Sequence, residues 1–160
     1  MPLLRSLRLR RAAPLALALL ALVGCSRELD DSTPEGAAGM FLAAIEQSST
    51  DRDALRRAYE VIDSESQRRL SERARSATAL GAREYEPWEM IVHGRALLRF
   101  VPQRGSGLRA RDGALEDEAI VVVTGEAEGQ RAEVPMRLED DGWRVVLDVP
   151  DVRTRPAADS

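Results

Sequence analysis

Lysine is absent, and all 23 basic residues of the chain are arginine. With abundant alanine, this reads as the bias of a GC-rich genome, because the arginines are scattered among acids and form no basic stripe with interleaved aromatics. A single cysteine, Cys25, excludes any disulfide within the chain. A single histidine, His93, beside that lone cysteine excludes the common zinc-ligand sets. Aromatic side chains are limited to Phe41, Tyr59, Tyr85, Trp88, Phe100 and Trp143, so the core must be mostly aliphatic, with alanine where elements approach closely. The chain has no G-x-S-x-G, no Walker A and no Rossmann glycine fingerprint. The acidic groups Asp30-Asp31, Glu116-Asp117-Glu118 and Glu139-Asp140-Asp141 lack EF-hand spacing and read as solvated turns. No metal and no cofactor are expected, and no internal repeat is visible.

What is present suits one globular domain. The chain has 160 residues, of which 44% are hydrophobic and 31% charged. That is room for one core and not two. The formal net charge of −4 understates the acidity of the body. Four of the arginines lie in residues 1–24, which leaves 19 basic against 27 acidic residues and a net of −8. Such a body repels nucleic acid and anionic lipid surfaces, and nucleic-acid binding is not expected.

The first 24 residues have the layout of an export signal. Residues 1–11 are arginine-rich, and residues 12–23 are a short apolar run. Twelve helical residues rise only about 18 Å, against a hydrocarbon core of about 30 Å, so the run is too short for a comfortable membrane span. The run ends in Leu22-Val23-Gly24-Cys25, which resembles the lipobox of bacterial lipoproteins. That resemblance implies cleavage before Cys25 and a thioether-linked diacylglycerol on its sulfur, so the membrane is the first expected partner. Two or more acyl chains hold a protein to a bilayer, where one is marginal. Ser26 stands where inner-membrane retention favours aspartate, so the resemblance implies an outer-membrane anchor facing the periplasm, with the inner membrane as the alternative. An ordinary secretory signal with a nearby cysteine is the competing reading.

Four segments follow: the signal 1–24, a polar tether 25–32, a domain over 33–150, and a loose tail 151–160. Thr33-Pro34-Glu35 opens a helix that carries Ala37, Met40, Phe41, Ala44 and Ile45 on one face and ends at Ser48-Ser49-Thr50. Asp51 caps a second helix, with Leu55, Tyr59 and Ile62 in line. Ser64 and Gln67 form a capping-box pattern for a third, which presents Leu70, Ala74, Ala77 and Leu80 and stops at Gly81. From about residue 88 the period changes to two, and Ala96, Leu98 and Phe100 alternate with polar residues. The run 118–124 (EAIVVVT) reads as a strand buried on both faces. Residues 128–130 form a turn, and Ala132, Val134, Met136 and Leu138 alternate after it. Asp141-Gly142 is the best hairpin signal, with Trp143, Val145, Leu147 and Val149 on one face beyond it. Pro135 marks its strand as an edge or a bulge. The stretch 103–117 is the longest irregular segment, and its Arg104, Arg109 and Arg111 make it a candidate docking loop. Helices followed by an antiparallel meander give an α+β domain with helices packed on one face of a curved sheet.

The segments TPEGAAGMFLAAIEQ, RRAYEVID and SQRRL, with the closing VPMRLEDDGWRVVLDVP, resemble NTF2-like lipoproteins of the cystatin-like, cone-shaped superfamily. The resemblance covers residues 33–150 and implies an apolar pocket at the wide end of a bent sheet. Tyr85, Trp88 and His93 are the candidate pocket residues. His93 as a general base is one possibility, and a strand-end histidine beside Gly94 is the plainer one. Glu133 and Asp148 alternate with core-facing positions and are expected to face solvent, which argues against pocket catalysis. The expected function is a non-enzymatic, lipid-anchored module that binds a small apolar ligand or a partner protein. A pocket enzyme using His93, and a structural or assembly subunit of an envelope complex, are the alternatives.

Overall fold

The structure, a computed structural model, describes residues 29–81, 83–93, 98, 100–103 and 107–149, with the side chains of residues 92 and 93 outside that description. Cys25 with its lipobox, most of the strand expected around residue 96, Arg104 and the tail 151–160 lie outside the described residues.

The first helix, α1 (Pro34–Gln47), starts as its sequence dictates. The Thr33 hydroxyl accepts from the Gly36 N–H at 3.1 Å, and Pro34 takes a first-turn position whose N–H would have had no partner. α1 buries Ala37, Ala38, Phe41 and Ala44. The Ser48 hydroxyl donates to the Ile45 carbonyl at 2.6 Å as the helix ends.

The second helix, α2 (Asp53–Glu60), packs on α1. The Asp51 carboxylate accepts from the Asp53 N–H at 2.9 Å. Of the expected stripe, Ile62, just past the helix, is buried, while Leu55 and Tyr59 are half-buried, and within the helix Ala54 and Ala58 are the fully buried residues. The third helix, α3 (Ser64–Leu80), is capped one residue earlier than expected. Asp63, not Ser64, is the N-cap, and it accepts from the Ser66 N–H at 3.3 Å. Gln67 does not close a capping box; its amide donates instead to the carbonyls of Tyr59 and Ile62, at 2.8 and 3.2 Å, and ties α3 to the end of α2. Leu80, expected on the inner face, is 90% exposed.

Residues Pro87–His93 form a 3-10 helix, not the start of a strand. Three residues per turn stack Trp88 over Ile91, so the apolar spacing that looked extended serves a tight helix instead. His93 is therefore the last residue of a helical turn and not a strand-end residue.

Four strands follow, each antiparallel to its neighbour and in sequence order: β1 (Leu108–Asp112), β2 (Glu118–Thr124), β3 (Arg131–Glu139) and β4 (Gly142–Val145). The fold is thus α+β, with three α-helices and an open four-stranded sheet among the described residues. β1 lies inside the stretch expected to be irregular. It went unseen because only Leu108 and Ala110 face inward, alternating with Arg109 and Arg111. β2 is buried on one face and half-buried on the other, rather than buried on both. The closing hairpin turns at Asp140 and Asp141, since Glu139 pairs with Gly142. Gly142 has φ of +142°, and a Cβ there would meet the Asp31 carbonyl oxygen at 2.9 Å, so both backbone and space require glycine.

Pro135 sits in a strand with neighbours on both sides, so β3 as a whole is not an edge. The Pro135 carbonyl accepts from the Val146 N–H at 2.9 Å, and proline has no N–H to return. The β3–β4 ladder stops there, with β4 ending at Val145. β3 therefore has a strand on both sides over 136–137 and is flanked over 131–134, among the described residues, by β2 alone.

The outer rim of β4 is covered locally. The Trp143 N–H donates to the Asp31 carbonyl at 2.8 Å, the Val145 N–H to Val61 at 2.9 Å, and the Asp63 N–H to Val145 at 3.0 Å. Such covering satisfies the strand and blunts pairing with a second chain. The core between α1, the helical connector and the inner sheet face is aliphatic, built on Ile62, Leu70, Ile91, Val121, Val123, Met136, Val145 and Val149 around Phe41.

Candidate functional site

Of the residues the sequence singled out, the structure places Trp88 on a cleft. The indole is half-buried, meets the Tyr59 ring edge-on at 6.3 Å, and has the Arg56 guanidinium 5.8 Å from its centroid. The cleft beside it, about 470 Å³, is lined by Ser48, Arg52, Leu55, Arg83, Trp88 and Glu89. Two of its charges engage each other: Arg83 and Glu89 form an ion pair at 3.0 Å. The Glu86 N–H and then Arg83 hold the Glu89 carboxyl below its ordinary range, and Glu89 and then Tyr85 raise the Arg83 guanidinium. Tyr85 is not on this cleft. Its N–H donates to the Thr78 hydroxyl at 3.0 Å, and Arg83 stacks on its ring at 4.0 Å. The side chain of His93 lies outside the described residues, so the grouping of Tyr85, Trp88 and His93 reduces, among what is described, to Trp88 alone on the cleft.

A second cleft, which the sequence reading did not single out, opens where β4 leaves β3. It holds about 400 Å³ and is lined by Phe41 and Leu42 of α1, Leu98 and Phe100, 131–135 of β3, and 145–148. Its most deeply buried lining residues are Val145, Phe41 and Leu147. Polar groups stand at its rim: Arg131, Glu133 and Asp148. Glu133 is bonded to Arg111 at 3.1 Å and to Arg131 at 3.4 Å, so its carboxylate is held on the sheet by two guanidinium groups. As expected, Glu133 and Asp148 are exposed. The signal for this cleft was Pro135, which ends the ladder and leaves the inner face of 131–134 without a strand on that side.

The remaining polar burial is structural. Arg144 has a side chain only 8% exposed and is held by Asp31 and Asp141, each at 2.6 Å. Burial lowers its guanidinium pKa, but the hydrogen bonds to Asp31 and Asp141 outweigh that and raise it. Asp63 is 1% exposed, caps α3 and lies 3.8 Å from Arg137. The Ser66 hydroxyl accepts from the Leu147 N–H at 3.0 Å and so pins the end of the chain to α3. On the outer surface of α3, Arg68 and then Arg69 hold the Glu65 carboxyl down to about 2.

Among the described residues, no three His, Cys, Asp or Glu side chains group as metal ligands, and no helix is long and apolar enough to cross a membrane. The acidic pair Asp30-Asp31 and the turn at 139–141 meet through Arg144, and Glu139 accepts from the Ser64 N–H and hydroxyl at 2.9 and 2.8 Å. Comparison of the chain with family models, with curated proteins and with solved structures finds no match.

Proposed function

We propose that the protein is a lipid-anchored, non-enzymatic binding module of the cell envelope, NTF2-like in design, whose ligand is a small apolar molecule or an apolar segment of a partner. The observation that carries this reading is the cleft between α1 and 131–135. Its volume of about 400 Å³ falls within the range of small-ligand sites, and aliphatic and aromatic side chains line it with a few charges at the mouth. An apolar ligand gains by leaving water there, at about 25 cal/mol for each Å² of apolar surface removed. The charged rim fixes orientation, and Glu133, already bonded to two arginines, serves as a rim group and not as a base.

The anchor is Cys25. With the leader removed at residue 24, the sulfur carries the acyl chains, and the body faces the periplasm from the outer membrane. No nucleic acid, metal or cofactor belongs to this reading.

Mass spectrometry of the protein purified from membranes tests both parts. The expected result is a polypeptide that begins at Cys25, carries acyl mass on that residue and retains a co-purifying apolar compound. The Cys25→Ser protein is expected in the soluble extract. Ala132→Phe, which places a ring in the cleft from its inner wall, is expected to weaken binding of an apolar fluorescent probe at least tenfold with the melting temperature little changed. Probe binding that ignores Ala132→Phe sinks the cleft as the site. An intact leader and a bare thiol sink the anchor.

A further inference from the structure

We propose that the outer face of the sheet, on its β1 flank, is the surface that lies against the bilayer, and that anionic phospholipid headgroups are what it meets. The inference rests on the anchoring of Cys25 proposed above and adds the orientation of the body. It begins with the tether. Seven residues, 26–32, would reach about 25 Å if extended. Four of them are already part of the body. The Asp31 carbonyl accepts from the Trp143 N–H at 2.8 Å, and its carboxylate holds Arg144 at 2.6 Å. Ser32 is turned back on Asp30, its N–H bonded to that carboxylate at 3.1 Å. A Cβ on Gly36 would collide with the Asp30 carbonyl, so α1 admits the segment only because that position is glycine. Leu29 lies over Gly39 beside Leu108, the first residue of β1. Only residues 26–28 then separate Cys25 from the folded body, and they reach at most about 11 Å. The acyl chains must therefore enter the membrane close to the junction of α1 and β1.

The charge of the neighbouring surface supplies the second argument. On the β1 flank the strand register places Arg109, Arg111 and Arg131 on the outer face with Glu133, a net of +2, while toward β4 Arg137 and the buried Arg144 stand with Glu118, Glu139, Asp31 and Asp141. The body as a whole has 19 basic and 27 acidic residues, a net of −8. The acidity expected to repel anionic lipid is thus carried elsewhere, and the β1 flank of the outer sheet face has the opposite sign. Arg109 has no carboxylate partner among the described residues. Half-buried Ile120 and Val122 lie between the arginines, so the face presents cations around an apolar floor. An arginine attracts an anionic surface over a Debye length of roughly 8–10 Å, a distance comparable with the reach of the tether.

Because Cys25 is the only cysteine and its sulfur is acylated in this reading, an added cysteine can be labelled alone. The acylated protein is reconstituted into vesicles of phosphatidylcholine with phosphatidylglycerol and a nitroxide-headgroup lipid. A fluorophore at Val122→Cys, on the outer sheet face, is compared with one at Arg75→Cys, on the exposed surface of α3. Quenching at position 122 is expected to exceed that at 75 at least threefold, and the excess is expected to fall when Arg109→Glu and Arg111→Glu are added or when phosphatidylglycerol is left out. Asp31→Ala, which removes the carboxylate that ties the tether to Arg144, is expected to reduce it as well. Equal quenching at both positions, or stronger quenching at 75, in protein shown by mass to be acylated overturns the orientation and leaves the anchor standing. Protein with a bare Cys25 thiol overturns both.

Discussion

The two halves of β3 have the same alternation and opposite fates. Past Pro135 the strand is flanked by β4, and over 136–137 by β2 as well, and Met136 is 1% exposed. Over 131–134 the described residues leave it β2 alone, and the apolar inner face there becomes the wall of a cleft. Pro135 divides them by lacking one N–H. The lesson is that one missing donor, placed inside a sheet, separates a segment that supports the fold from a segment free to meet a ligand.

The largest expected break in this comparison is in packing. Met136→Ala is expected to lose about 3 kcal/mol of stability, because a fully buried side chain leaves a cavity in the enclosed half. Val134→Ala, in the open half, is expected to lose about 1 kcal/mol, because its methyl groups are only half-buried. Urea unfolding of the two variants checks the contrast, and equal losses would remove it. A smaller effect is expected from Asp31→Ala, at about 1.5 kcal/mol. Arg144 keeps Asp141, but that partner is largely exposed while the guanidinium is not. Its thermal midpoint in low and high salt reads the loss. The smallest change sharpens the boundary itself. Pro135→Val restores the donor, and stability is expected to move by less than about 0.5 kcal/mol. Amide exchange at 135 is expected to become protected as the ladder extends toward residue 146. Unprotected exchange there would show that proline is not what ends β4.

The legible parts of this fold are those written in neighbouring residues. Thr33-Pro34-Glu35 spelled the start of α1, and the alternation 132–138 spelled β3. Asp63 took the cap from Ser64 because its neighbour Glu139 bonds the Ser64 N–H and hydroxyl, a partner 75 positions away. β1 carried too few apolar residues to show a period. The 3-10 helix at Pro87–His93 shares its spacing with an extended segment, and the sequence alone does not separate the two. The cleft was the least legible feature, since it is made by where β4 stops and not by any residue pattern within it. Arg144 reads as an ordinary outward arginine until Asp31 is brought to it across 113 positions.

The hydrogen bonds between Val145 and the Val61–Asp63 connector also govern the order in which the chain can be completed. Ile62 and Val145 form a parallel bridge, so the bend joining two early helices is finished by one of the last residues of the sheet. Closing that gap requires ordering more than eighty intervening residues, which slows folding relative to a bundle built from local contacts. A growing polypeptide that ends before residue 145 has its helical half without the partner that fixes the angle between α2 and α3, and the last strand to be synthesised acts as the latch for the first part made.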